Sequence, residues 1–363
     1  MNKQNYNVLG VMSGTSLDGV DLAHISLTLQ EQKWSYAIHE TQTISYSPEW
    51  VKRLQSAIDF DINTLAQLNQ DYTVLLANII NGFITQNAIG NLDAVCSHGH
   101  TILHQPHNGF TLQIGNLPQI ANLIHHTIVC DFRVQDVAMG GQGAPLVPMG
   151  DRLLFSEYDF CLNLGGFSNI SFEEDGQRIA YDICPVNTVL NYYAGILGHA
   201  YDDGGAIAAA GTVVPELLEA LNNLDYYKAP YPKSLGFEFV KEVILPVMER
   251  SDAAVKDKLC TFTTHSATQI AKAIIAKKAN GSLLITGGGA YNSFLIKKVK
   301  EFLPATRLVI PDNKTIQYKE ALLFALLGVL KLRNEVNVLC SVTGAKANHS
   351  SGVIMQPTTH PFS

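Results

Sequence analysis

Between residues 62 and 84, apolar side chains return at helical spacing: Leu65, Leu68, Tyr72, Leu75, Leu76, Ile79 and Ile80. The stripe predicts an amphipathic helix laid over a sheet, and it is core rather than a cofactor surface. Residues 7–29 follow another rule. Apolar stretches flank a polar Ser-Gly-Thr-Ser-Leu-Asp-Gly turn, which predicts strand, turn, strand. Residues 153–172 repeat that plan around Gly165-Gly166. The two glycine turns lie about one domain length apart, a distance suited to two related domains rather than a short-period solenoid.

Short strands at 94–97 and 127–130 alternate with helix and loop, so the class is α/β. Residues 133–148, rich in glycine and proline, read as a loop able to join two lobes, with the boundary near Asp131. Residues 266–278 are helical in pattern, and Leu283-Leu284-Ile285 is a strand running into Thr286-Gly287-Gly288-Gly289-Ala290. Helical pattern resumes from Asn292, and strand, glycine turn and helix in that order make a nucleotide-facing unit. The apolar run 321–332 is shorter than the roughly 20 residues that cross a bilayer and reads as a buried helix.

At 363 residues, the chain has room for two domains, each with its own core. A formal charge of -7, from 25 Lys+Arg against 32 Asp+Glu, offers nucleic acid no net attraction, so none is expected as a partner. The polar N-terminus and the early Ser13, Gly14 and Asp18 break any signal-peptide core, and no membrane partner is expected. Six cysteines without a C-x-x-C pair suit reduced thiols in the cytoplasm.

Glycines after a strand leave backbone N–H groups uncovered, so a phosphate can approach them. In the 14–19 turn, hydroxyls can donate to phosphate oxygens, and Asp18 can hold Mg²⁺ directly or through water. The same turn taken alone reads rather as a plain hairpin, since Asp-Gly is a common hairpin dipeptide. No Gly-Lys-Ser/Thr follows at Walker A spacing, and G-x-G-x-x-G is missing after the first strand. His98, His100, His104 and His107 raise a zinc site, but no cysteine or carboxylate completes a recognisable set.

The run Gly10-Val11-Met12-Ser13-Gly14-Thr15-Ser16-Leu17-Asp18-Gly19-Val20-Asp21 resembles the signature of the anhydro-N-acetylmuramic acid kinases, within the actin/hexokinase/Hsp70 superfamily. The resemblance continues in order through Ser97-His98-Gly99, Thr111 to Gly115, Asp131-Phe132-Arg133, Gly140 to Pro148, Leu162 to Gly166, Pro232-Lys233-Ser234, Gly287-Gly288-Gly289 and Ser341 to Ala345. It implies two ribonuclease-H-like α/β lobes around an interdomain cleft. The lobes are expected at residues 1–131 with about 340–363, and at 132–339.

The implied reaction is unusual. Water opens the 1,6-anhydro bridge of a cell-wall sugar, and the released O6 takes the γ-phosphoryl group of ATP to give N-acetylmuramic acid 6-phosphate. By the resemblance Asp182 is the catalytic base, and Gly14, Thr15, Ser16, Leu17, Asp18, Gly19, Val20, Asp21, Gly165, Gly166, Gly287, Gly288 and Gly289 hold ATP. His98, Arg133, Asn187 and Glu320 bind the sugar, Asp18 holds Mg²⁺, and the assembly is a homodimer. Where the family usually reads Asp-Thr-Gly-Pro-Gly-Asn, this chain has Asp182-Ile183-Cys184-Pro185-Val186-Asn187. His100 replaces a usual glutamine, and Val134 and Gln135 replace frequent arginines. These departures leave two other readings open: a kinase for a different anhydro sugar or hexose, and a non-catalytic ATP-binding switch of the same superfamily.

Overall fold

The computed structural model describes residues 3–14 and 16–358. The chain divides into two compact units, Met1–Leu154 with Tyr318–Ser363, and Phe155–Gln317.

In the first unit, β1 (Asn5–Ser13), β2 (Val20–Gln30) and β3 (Lys33–Ile44) form an antiparallel meander. The long β4 (Ala94–Gln105) runs parallel to β1, and its far half carries the antiparallel β5 (Phe110–Ile114). β6 (Ile128–Cys130) lies parallel to β4. The helix Ile62–Gln86 covers one face as its periodicity predicts, burying Leu65, Leu68, Tyr72, Leu76, Ile80 and Phe83 against Leu9, Val11, Leu22 and Val95. Asp61 starts it, its carboxylate accepting the N–H groups of Asn63 at 2.9 Å and Thr64 at 3.2 Å.

The helix Asn313–Leu332 brings Ala321 to Leu330 into this unit's core, where an all-round apolar helix belongs. It touches the sheet backbone: a Cβ at Gly10 would stand 2.1 Å from the Ala321 carbonyl oxygen, so only glycine fits there.

The second unit has a meander of β7 (Phe160–Leu164), β8 (Phe167–Glu174) and β9 (Gln177–Pro185), with β10 (Ser282–Thr286) parallel to β7 and β11 (Arg307–Val309) parallel to β10. Its order, β11-β10-β7-β8-β9, repeats β6-β4-β1-β2-β3 of the first. Two α/β units on one strand plan are what ribonuclease-H-like lobes require. The first sheet adds β12 (Val353–Met355), antiparallel to β6.

The division differs from the expected boundaries, because residues 132–154 and 318–339 belong to the first unit. Residues 133–148 are not simply a connecting loop. They contain the helix Val134–Ala138 and lead into the helix Val147–Leu154, where Asp151 forms a buried ion pair with Lys319 at 2.8 Å. That pairing ties the second of these helices to the first unit, as the Thr343 hydroxyl on Asp136 ties the first, so the chain leaves the unit only after Leu154.

Candidate active site

In the second unit Asp182 lies on β9 where the pairing with β8 slips. Asn169 faces Asp182 and Ser168 faces Cys184, so Ile183 is an extra residue without a partner. Such a bulge bends the strand and re-aims neighbouring side chains. Asp182 is half-buried, and its Oδ2 accepts the Leu235 N–H at 2.9 Å. Its own N–H donates to the Lys233 carbonyl at 3.3 Å, and the Tyr226 hydroxyl donates to its carbonyl at 2.5 Å. Burial pushes its carboxyl above the usual range, and the Leu235 N–H offsets part of that shift.

A carboxylate with one oxygen anchored and a raised pKa is oriented to take a proton. Lys233, whose pKa burial lowers, donates to the Tyr226 carbonyl at 3.0 Å and lies 4.6 Å from the Tyr226 ring centroid and 5.7 Å from that of Tyr181.

The altered residues after Asp182 point elsewhere. Ile183, Cys184 and Val186 are all buried in the unit's core. Ser168 braces Cys184, accepting its N–H at 3.2 Å and donating to its carbonyl at 3.0 Å, while burial pushes the thiol up to about 12. The Val186 N–H still donates to the Gly166 carbonyl at 2.8 Å, so the turn closes without the usual glycine.

Gly165 and Gly166 follow β7, and Gly287, Gly288 and Gly289 follow β10, the strand beside it, so the two glycine turns emerge as neighbours. Gly287 has φ +83°, and a Cβ on it would meet Asn163 Oδ1 at 2.6 Å. Asn187 opens the helix Asn187–Ile196 beside these turns, its N–H donating to the Gly165 carbonyl and its Nδ2 to the Leu164 carbonyl, both at 3.3 Å. The residue expected with the sugar thus stands at the glycine turns.

In the first unit the 14–19 turn is closed by the Leu17 N–H donating to the Gly14 carbonyl at 3.3 Å, with Leu17 at φ +62° and Gly19 at φ +152°. Thr15 lies outside the described residues. Ser16 and Asp18 are exposed, whereas the Val20 side chain is fully buried, leaving only its backbone to the turn. Asp21 Oδ1 accepts the Thr43 hydroxyl at 2.6 Å. Burial raises the Asp21 pKa and the negative Asp18 raises it further. Two carboxylates in mutual repulsion at a turn suit a divalent cation.

His98 is also set by a slip in register. Val11 pairs with Ser97 but Ser13 pairs with His100, so His98 and Gly99 bulge from β4. Its Nδ1 faces the Gly99 carbonyl at 3.0 Å, and its Nε2 accepts from Arg133 Nε at 2.8 Å, which is the neutral form with the proton on Nδ1. Burial, then Arg133, hold its pKa well below the usual imidazole range. Arg133 also donates from Nη1 to the Gly143 carbonyl at 2.6 Å, and burial lowers its pKa to about 10, against the pull of Glu320 and Asp136.

Glu320 follows Tyr318, whose non-helical φ of −111° and ψ of 18° break its helix. Its carboxyl reaches solvent, yet the protein around it pushes its pKa up, with Arg133 opposing that shift and Asp21 adding to it. Tyr318 and Thr43 meet at 3.4 Å, so Asp18, Asp21, Thr43, Tyr318, Glu320, Arg133 and His98 make one polar belt.

The four histidines of the zinc reading diverge. His98 and His100 are buried and His104 and His107 exposed, and no three His, Cys, Asp or Glu side chains gather to hold a metal among the described residues.

The sequence profile described as Anhydro-N-acetylmuramic acid kinase matches residues 6–357. The chain belongs to that family. It is 33% identical to an anhydro-N-acetylmuramic acid kinase of Francisella tularensis subsp. novicida (strain U112), over 98% of this chain and 99% of the relative. It is 32% identical to one of Shewanella sediminis (strain HAW-EB3), over 93% and 95%. Among solved structures it is similar to component A of (R)-2-hydroxyglutaryl-CoA dehydratase from Acidaminococcus fermentans, at 15% identity and TM-score 0.43, over 91% of this chain and 100% of the other.

For this member of the anhydro-N-acetylmuramic acid kinase family, sequence reasoning missed the supports of Asp182. Leu235 and Tyr226 hold it from a segment whose one signal was the Pro232-Lys233-Ser234 motif. It also missed a buried chain in which His100 Nδ1, Ser13 Oγ, Tyr46 OH and Tyr72 OH follow one another at 2.7, 2.6 and 2.5 Å. Burial brings His100 down to about 4, so it enters that chain neutral.

Proposed function

We propose that the protein is an ATP-dependent kinase that opens 1,6-anhydro-N-acetylmuramic acid with water and phosphorylates the released O6. The observation that carries this is Asp182, half-buried, raised in pKa and fixed through one oxygen by the Leu235 N–H. As base, Asp182 takes a proton from water while the water oxygen bonds to the anomeric carbon. The C1–O6 bond breaks with its electron pair going to O6. O6 then attacks the γ-phosphorus, and ADP leaves with the electrons of the bridging bond.

Arg133, cationic and fixed on His98, pairs with the lactyl carboxylate of the sugar. Glu320 hydrogen-bonds the sugar beside it. Within the second unit the neighbouring 165–166 and 287–289 turns offer N–H groups to the ATP phosphates, and Gly288 leaves nearly open space there. Asp18 and Asp21 fit Mg²⁺, which when bound neutralises phosphate charge. Among the described residues no helix is long and apolar enough to cross a membrane. We place the protein in the cytoplasm on its six free cysteines, five of them buried, and as a homodimer on the family resemblance, which light scattering tests.

The reaction itself is tested by mass spectrometry of the product formed from the anhydro sugar and ATP in ¹⁸O-labelled water. Label at the anomeric oxygen together with one new phosphate is expected. Phosphate without label there would overturn the coupled reaction.

A further inference from the structure

The Ser341-Val342-Thr343-Gly344-Ala345 stretch has no task in the reaction above. It forms the short helix Cys340–Thr343, ended by Gly344 at φ +78°. Thr343 is 1% exposed. Its hydroxyl donates to Asp136 Oδ1 at 2.7 Å, across 207 positions of sequence, and its carbonyl accepts the Gln142 N–H at 2.8 Å.

Asp136 is 0% exposed, and its other oxygen, Oδ2, accepts the Gly143 N–H at 2.7 Å. A buried carboxylate is tolerated only where hydrogen bonds or charges meet it. Thr343 and Gly143 each satisfy one oxygen, and His349 Nε2 lies 3.6 Å from Oδ1. The loop between them is drawn tight, since a Cβ at Gly141 would stand 2.2 Å from Asp136 Oδ2. Gly143 then offers its carbonyl to Arg133 Nη1 at 2.6 Å. Two nitrogens of the guanidinium are therefore engaged, one on His98 and one on a carbonyl that Asp136 fixes, and its remaining donors have a set direction.

We propose that Asp136 and Thr343 are a positioning pair that aims Arg133, and so sets the enzyme's preference for an anionic sugar over its uncharged ester. Neither residue touches substrate in this scheme. The pair acts through Gly143, and the proposal rests on the reading that Arg133 takes the sugar carboxylate.

The test compares kcat and KM of the whole enzyme for anhydro-N-acetylmuramic acid and for its methyl ester. Thr343→Val keeps the side-chain shape but removes the donor to Asp136. It is expected to cut the acid-over-ester ratio of kcat/KM by roughly tenfold, carried by the KM of the acid, with the KM for ATP unmoved. Thr343→Ser should restore the ratio. If Thr343→Val does not fold, Asp136→Asn is read in the same way.

Equal loss on acid and ester, or a wild-type ratio in Thr343→Val while Arg133→Met loses its preference, would overturn the pair and leave the Arg133 reading standing. A wild-type ratio in Arg133→Met would overturn that reading and the pair with it.

Discussion

The two sheets follow one strand plan, yet each breaks it in a different place. In the first unit the slip that bears on the candidate site falls at His98-Gly99 on β4, inside the sheet between β1 and β6. The displaced imidazole is 3% exposed and locked between a carbonyl and Arg133. In the second it falls at Ile183 on β9, the last strand of its sheet, and the carboxylate beside it stays half-open with one oxygen anchored. A bulge within a sheet yields a rigid neutral acceptor, suited to holding another group still. A bulge on an edge strand yields an ionisable group with access to solvent, suited to proton transfer.

The contrast predicts losses of different kinds. The largest is expected from Asp182→Asn, which should lower kcat by about 10²- to 10⁴-fold with little change in the KM for ATP, read in a coupled ATP-consumption assay. A variant with near-normal kcat would remove the base from the edge strand. Arg133→Met should act through binding, raising the sugar KM by about 10- to 100-fold, as expected for a lost charge-assisted hydrogen bond. A fall in kcat alone would give the first unit a chemical role and erase the division.

Val186→Gly restores the family's usual residue but empties a core position, so it should cost roughly 2 kcal/mol in denaturant unfolding and leave sugar choice unchanged. A shift in sugar preference would show that the altered loop reaches the substrate.

The smallest effect has the opposite sign. Because burial raises the Asp182 pKa, the folded state holds its proton at pH values where the unfolded chain has lost it. Stability therefore falls as pH rises from the ordinary carboxylate value of 3.8 through the folded value, and ionised Asp182 is a burden at neutral pH. Asp182→Asn should raise the thermal midpoint slightly at pH 7 while lowering kcat as above. A lowered midpoint would mean that the carboxylate stabilises the loop around Leu235.

How much of this was legible depends on what each segment buries. The helix Ile62–Gln86 showed itself because one face is apolar and the other wet. The helix Val255–Lys278 was visible only in its second half. Its first half sets Leu259 and Phe262 among the buried Thr261, Thr263 and Thr264, and the Thr261 and Thr264 hydroxyls return to carbonyls four residues back at 2.7 and 2.8 Å, so the apolar stripe is diluted there. The candidate site residues were proposed from motif order rather than periodicity.

What placed them was hidden. The first bulge lies beyond the strand read at 94–97, the slip at Ile183 depends on the partner strand, and the Leu235 N–H that anchors Asp182 comes from a distant loop. The burial of Val186 and Cys184 also needed the fold, since a substitution in a motif does not say which way its side chain turns.

The path of the chain has a consequence for how the protein is made. The second unit is one unbroken stretch, Phe155–Gln317, whereas the first is left open at Leu154 and completed only from Tyr318 onward. Synthesis proceeds from the N-terminus and domains fold as units. The unit bearing Asp182 can therefore close while the sheet bearing His98 still lacks the helix that presses on Gly10. Until that last portion emerges, the strands of the first unit wait with an apolar face uncovered, which makes the earlier-started of the two units the later to finish and the one more in need of protection from aggregation.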